Sequence, residues 1–192
     1  HPKIVKASHS SGVKSIDIKD GLQYGPNEGQ AKLLEYLKAF IKRVNQPGVD
    51  EWDVVLTNGT GDSLNKVFSL LVDPGDVVLV EQYTYVQVLN NIENYGGRAH
   101  PVPLDLNKGG INLVKLKELL ANWDTSQNTK TLKRPKALYT IPTGQNPTGL
   151  SPFNEQRKEL VSISREFDFV IVEDDPYDYI HLGKAEKEFQ GI

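Results

Sequence analysis

The amino-acid sequence predicts an α/β fold: a largely parallel sheet with helices packed on both faces, three layers in all. Three observations carry this. Short apolar runs alternate with segments of helical period along the chain, and turn residues separate most runs from the next. Runs such as Val77-Val-Leu-Val80 are apolar throughout rather than alternating, which is the pattern of strands covered on both faces. Strands joined in this way are expected to be parallel, with right-handed crossovers.

The elements follow in order. Leu33, Leu34, Leu37, Phe40, Ile41 and Val44 recur at helical spacing, and Pro47-Gly48 closes that first helix. Val54-Val-Leu56 reads as a short buried strand, followed by the turn Thr57-Asn-Gly-Thr-Gly61 and a helix carrying Leu64, Val67, Phe68 and Leu71. Asp73-Pro-Gly-Asp76 is a turn by composition and leads into the strand at Val77. A helix over roughly 85–95 stops at Gly96-Gly97, a strand runs from Arg98 to Leu104, and a helix from Leu113 to Trp123. After a polar loop over 124–135, Ala137 to Ile141 forms the next strand. Ser151-Pro152 is an N-cap and first-turn pair opening a helix to about Phe167, and Phe169-Val-Ile-Val172 is the last clear strand. Residues 1–48 form an N-terminal segment with the first helix, and 49–192 form part of a larger sheet domain.

Composition narrows the function. The chain has 192 residues, of which 38% are hydrophobic, and this suits a globular core. A net charge of −3 with interspersed signs gives no basic stripe for nucleic acid. No apolar run approaches the roughly 20 residues of a membrane span. Without cysteine there is no disulfide, thiolate metal site or Cys nucleophile, which points weakly to the cytoplasm. The four histidines lack metal-ligand spacing, and the sequon at Asn58 is incidental. The chain has no methionine and begins at His1, so it reads as a piece of a longer protein.

The chemistry gathers at strand ends, where open α/β sheets bind ligands. Gly59-Thr60-Gly61 before a helix presents backbone N–H groups at a positive helix end, a site for phosphate or for nothing more than a turn. No Lys-Ser/Thr follows it, which argues against a nucleoside-triphosphate loop. Tyr139-Thr-Ile-Pro-Thr-Gly-Gln-Asn-Pro-Thr-Gly149 places the amide of Asn146 just beyond a strand, free to donate to one oxygen. Asp174 follows another strand, where its charge needs a partner such as a protonated ring nitrogen. Tyr177 lies three residues further on, and Tyr85 offers a flat face after a third strand. Each has a plain structural alternative in packing or capping. Together they match a flat, phosphorylated heteroaromatic with a phenolic oxygen, and pyridoxal 5′-phosphate has those features.

From Leu22 onward the sequence resembles the fold-type I pyridoxal-phosphate enzymes, specifically class I aminotransferases near the aromatic amino acid and 2-aminoadipate/kynurenine enzymes. The resemblance rests on the Asn146 motif, on Val170-Ile-Val-Glu-Asp-Asp-Pro-Tyr177, on Trp52 to Gly61, and on Leu22-Gln-Tyr24 with Gly29. It implies that Thr60 and the N–H groups around Gly59 and Gly61 hold the cofactor phosphate. Tyr85 would stack on the ring, Asn146 and Tyr177 would bond the ring hydroxyl oxygen, and Asp174 would keep the ring nitrogen protonated. Tyr24 would reach the neighbouring subunit's cofactor phosphate, which implies a homodimer. The substrates implied are an aromatic or 2-aminoadipate-like amino acid and a 2-oxo acid.

Two family features have no match here: the Schiff-base lysine and the arginine that binds the substrate carboxylate. After Asp174 only Lys184 and Lys187 remain, in an unrelated polar run. The chain is therefore expected to be the cofactor-cradle portion, with no catalytic residue of its own and inactive alone. In this family later strands lie between the first strand and the one carrying Asp174, so a gap in the middle of the sheet is also expected. A non-catalytic pyridoxal-binding module keeps the same residues. A nicotinamide-dependent dehydrogenase would use Gly59, Gly61 and Glu81, with Leu64 in place of the third glycine and no role for Asn146 or Asp174.

Overall fold

The structure, a computed structural model, describes residues 23–180. Two compact units divide at Leu56/Thr57. In the first, helix α1 (Ala31–Val44) begins at Gln30, whose side chain accepts from the Leu33 N–H at 2.7 Å. Lys42 and Arg43 occupy its last turn, where cations suit the negative helix end. Tyr36 stacks on Phe40, with ring centroids 6.4 Å apart, and Lys38 pairs with Asp53 at 2.6 Å.

The second unit carries the sheet. Its helices are α2 (Thr60–Leu71), α3 (Val86–Asn94), α4 (Leu113–Ala121) and α5 (Asn154–Phe167). Strands β1 (Val77–Glu81), β2 (Arg98–Val102), β5 (Pro135–Thr140) and β6 (Val170–Glu173) form one parallel sheet in the order β2-β1-β5-β6. Two short strands, β3 (Leu104–Asp105) and β4 (Gly110–Ile111), pair as an antiparallel hairpin.

Alternation along β1 builds the layers, because successive side chains point to opposite faces. Val77 and Leu79 join Leu138 under α4 and α5, where Leu116, Leu120, Trp123, Leu160 and Ile163 pack. Val78 and Val80 join Ala137, Tyr139 and Val172 under α2 and α3, against Leu64, Phe68, Val88 and Ile92. All five residues of β1 are buried, as a strand sandwiched between helices requires. The expected three-layer, parallel α/β arrangement is thus the observed one.

Three boundaries differ from expectation. Val54–Leu56 forms no strand: Leu56 donates its N–H to the Glu28 carbonyl at 2.8 Å and joins no sheet among the described residues. A three-residue apolar run has no strand character of its own without a neighbour to bond. The strand from Arg98 ends at Val102, because Pro103 has no N–H to continue the ladder and the chain turns into the β3–β4 hairpin. Pro101 is tolerated within β2 because β2 lies at the sheet edge. Ser151-Pro152 does not open α5; Phe153 is the N-cap residue, and Gln156 accepts from its N–H at 3.4 Å. Ser151 instead uses its Oγ to accept the Gly144 N–H at 2.9 Å.

The expected gap in the middle of the sheet is not seen: the four strands pair without interruption and β6 is an edge among the described residues, because Val54–Leu56, the strand expected beyond the gap, joins no sheet. At the opposite end of the sheet from the strand-end loops, Asp76 accepts hydrogen bonds from Lys133 at 2.8 Å and Lys136 at 2.7 Å. These two ammonium groups hold the buried Asp76 carboxyl well below the usual carboxylate range.

Candidate functional site

The carboxyl ends of β1, β5 and β6 and the start of α2 surround a cleft of about 250 Å³. Thr60, Gly61, Tyr85, Asn146, Asp174 and Tyr177 line it, with Leu64, Ile141 and Pro176 as apolar wall. Six sequence-predicted residues therefore meet in one cavity, and Gly59 adjoins it as the N-cap residue of α2. Tyr24 lies in the first unit with its side chain fully exposed. Lys184 and Lys187 lie outside the described residues.

The turn before α2 leaves the helix end open. Gly59 has φ 86° and ψ 171°, a region that only glycine occupies without strain. Asp62 and Ser63 both donate to the Gly59 carbonyl at 3.1 Å, leaving the N–H groups of Thr60 and Gly61 at the open helix end. Asp62 accepts the Asn58 N–H at 2.9 Å, and Thr57 and Ser63 share a hydroxyl–hydroxyl bond of 2.6 Å, which fixes the turn from behind.

Asp174 lies just beyond β6 and is 6% exposed, and its N–H continues the ladder to the Thr140 carbonyl at 3.0 Å. Its Oδ2 accepts from the hydroxyl of Tyr139 at 2.7 Å. Its Oδ1 is buried and has no hydrogen-bond partner. A buried carboxylate oxygen without a donor is costly, so a donor in the cleft is what this geometry asks for. Tyr139 is fully buried, and its phenol pKa is pushed far up, first by that burial and then by the Asp174 carboxylate. It therefore remains a donor at any physiological pH. The ring of Phe68 packs 6.5 Å from the Tyr139 ring.

Asn146 is half-buried and follows the loop from β5; its peptide bond to Pro147 is cis. Thr143 donates to Asp175 at 2.9 Å and links this loop to the one after β6. Burial pushes the Asp175 carboxyl up, with the Thr143 hydrogen bond opposing it.

Sequence reading missed Tyr139, Thr143 and Gln145 as parts of the site. Tyr139 left one signal: a phenol inside a buried apolar strand must find a partner for its hydroxyl. Which partner depends on β5 lying beside β6, a pairing no local pattern encodes. The dehydrogenase alternative is overturned. Glu81 is 2% exposed and bonded to Thr140 and Gln145, not presented to a ribose, and Leu64 packs into the core under α2.

Two other spaces do not compete. A void of about 20 Å³ between the hairpin and α5 has room for one water. In the first unit an open depression bordered by Lys38, Lys42 and Trp52 holds no residue proposed for the site. No cluster of metal-ligating side chains occurs among the described residues, and no described helix is long and apolar enough to cross a membrane.

Known proteins extend this picture. The family model for aminotransferase class I and II matches residues 2–190, and the chain belongs to that family. Aromatic amino acid aminotransferase 2 of Saccharomyces cerevisiae is 37% identical over 176 residues, covering 87% of this chain and 34% of the relative. The mitochondrial kynurenine/alpha-aminoadipate aminotransferase of Mus musculus is 38% identical, covering 87% of this chain and 41% of the relative. A crystal structure of the aromatic aminotransferase Aro9 from Candida albicans superposes with a TM-score of 0.83 at 43% identity, over 93% of this chain and 38% of that one. The alpha-aminoadipate aminotransferase LysN of Thermus thermophilus, crystallised with N-(5′-phosphopyridoxyl)-L-leucine, gives 0.70 at 33% identity, over 86% of this chain and 38% of that one. This chain thus spans between about a third and two-fifths of the length of these relatives.

Proposed function

We propose that this chain forms the cofactor cradle of a pyridoxal-phosphate-dependent aminotransferase that moves an amino group between an aromatic or 2-aminoadipate-like amino acid and a 2-oxo acid. The observation that carries this is the buried, partnerless Oδ1 of Asp174, a residue that lines one cleft with Asn146, Tyr85, Tyr177 and the open N-terminal end of α2. The residues fit the group: a carboxylate oxygen for a ring N–H, an amide and a phenol for a ring oxygen, a flat side chain for the ring face, and N–H groups for a phosphate. The names of the relatives supply the substrate class. When bound, pyridoxal phosphate offers an electron-withdrawing ring that stabilises charge left at the substrate Cα.

The work of this chain is to bind and polarise. Asp174 would hold a proton on the pyridine nitrogen through Oδ1, while Tyr139 donates to Oδ2 and fixes how the carboxyl group is turned. Asn146 and Tyr177 would hold the ring oxygen. Tyr85 would cover one face, and Thr60 and Gly61 would anchor the phosphate through N–H groups reinforced by the α2 dipole. In a homodimer, the exposed Tyr24 would contribute to the partner's phosphate site.

Two measurements test this. Fluorescence titration with pyridoxamine 5′-phosphate, which needs no lysine, is expected to show saturable binding that Asp174→Ala weakens; no binding at millimolar ligand would overturn the cradle. The 192-residue chain is expected to convert no phenylalanine with 2-oxoglutarate and to yield no specific cofactor–lysine adduct on borohydride reduction. Turnover by a preparation of verified intact mass would show that the chain supplies its own lysine.

A further inference from the structure

We infer that Glu81 and Gln145 form a buried brace that positions Asn146 and Tyr85 together against the bound ring; the inference rests on the cofactor reading above. Neither side chain lines the cleft. Both are nonetheless polar and almost wholly buried, at 2% and 3% exposure, which asks for a reason because buried polar groups are expensive unless fully bonded.

The Gln145 amide is saturated. Its Nε2 donates to Glu81 Oε2 at 2.8 Å and to the Tyr83 carbonyl at 2.5 Å, and its Oε1 accepts from the N–H of Thr148 at 3.0 Å and the hydroxyl of Thr148 at 2.5 Å. An amide has two N–H donors and two lone pairs, so no capacity remains. The backbone of Gln145 is bonded too, donating to the Leu150 carbonyl at 2.8 Å and accepting from the Gly149 N–H at 2.5 Å. Six bonds therefore fix the residue immediately before Asn146. Through the Tyr83 carbonyl the same amide holds the loop that ends at Tyr85.

Glu81 roots this brace in the sheet. It is the last residue of β1, and its Oε1 accepts the Thr140 hydroxyl at 2.6 Å while Oε2 takes Gln145 and, at 3.4 Å, the Ile141 N–H. One carboxylate thus ties the ends of two adjacent strands to the two loops that deliver the ring-face tyrosine and the ring-oxygen amide. Positioning residues of this kind act through the groups they hold, so their loss should weaken the Asn146 share of ring-oxygen recognition and spare the phosphate anchor at α2.

The test compares pyridoxamine 5′-phosphate with its 3-deoxy analogue, which lacks the ring hydroxyl, by fluorescence titration of the full chain. The unaltered protein is expected to prefer the hydroxylated ring by about tenfold, the value of one good hydrogen bond. Gln145→Met, unbranched and of similar length, and Glu81→Met, which removes both acceptor oxygens, should lower that preference severalfold, with a smaller loss of affinity for the deoxy compound as Tyr85 loosens. A preserved preference in a folded variant overturns the proposal, as does an equal loss for both ligands, the signature of general loosening. If Gln145→Met does not fold, Thr148→Val removes one bond to the same amide and should lower the preference severalfold; an unchanged ratio there also overturns it. If the unaltered protein binds neither compound, the cofactor reading itself fails, a result distinct from every variant outcome.

Discussion

At the scale of single residues, the two oxygens of Asp174 have different tasks. Oδ2 is occupied by Tyr139 at 2.7 Å, and the buried Oδ1 has no hydrogen-bond partner. A carboxylate free to rotate would present either oxygen, so the phenol selects one geometry. Tyr139→Phe removes that hydroxyl while keeping the ring packed beside Phe68. A hydrogen bond to a charged group is worth about 1.5–3 kcal/mol, so affinity for pyridoxamine 5′-phosphate is expected to fall at least tenfold. Because Tyr139 acts through Asp174, Tyr139→Phe should have little further effect once Asp174→Asn is present. Additive losses in that double-mutant cycle would assign Tyr139 to packing alone.

At the scale of elements, the loop after β5 is supported by the β3–β4 hairpin through a contact with no room in it. Gly109 has φ 77°, and a Cβ there would lie 2.4 Å from the Ser151 carbonyl oxygen, a backbone atom that cannot step aside. Gly109→Ala is expected to cost roughly 1–3 kcal/mol of stability in denaturant titrations and to weaken ring binding, because the displaced segment is continuous with Asn146. A variant with unchanged midpoint and affinity would detach the hairpin from the site. This coupling illustrates what was legible in the sequence. The apolar run at Val77 and the helical spacing of Leu64 and Phe68 reported elements directly, since period and burial are local properties. The cleft residues were legible because Asn146, Asp174 and Tyr177 each follow a strand within a few residues. What stayed hidden depends on neighbours distant in sequence: Tyr139 with Asp174 across β5 and β6, Glu81 with Gln145 across β1 and β5, and Gly109 against Ser151. Glu81 drew a ribose-binding role from its spacing to Gly61, whereas the order of strands in the sheet turns its side chain inward.

At the scale of the whole molecule, the ionisable groups at the two ends of the sheet give stability opposite dependences on pH. Asp76, beside Lys133 and Lys136, is depressed, so its contribution is present above the ordinary carboxylate value of 3.8 and is lost as pH falls below it. Glu81 is raised from 4.5 to about 7, chiefly by burial, with the Thr140 and Gln145 hydrogen bonds opposing the shift. Between these values the folded chain holds a proton that the unfolded chain has released, so stability falls as pH rises through that window. The Thr140 hydroxyl can donate to the carboxylate or accept from the acid, which lets the brace persist in either state. At 1.36 kcal/mol per unit, the shift corresponds to a loss on the order of 3 kcal/mol between pH 4.5 and about 7. Glu81→Gln cannot titrate, so the stability difference between the unaltered chain and this variant should shrink by that amount across the window and level off above about pH 8. Urea titrations at half-unit intervals measure it directly. Parallel profiles from pH 4.5 to 8 would mean that Glu81 is already ionised at its buried position, held there by its donors more strongly than burial opposes them.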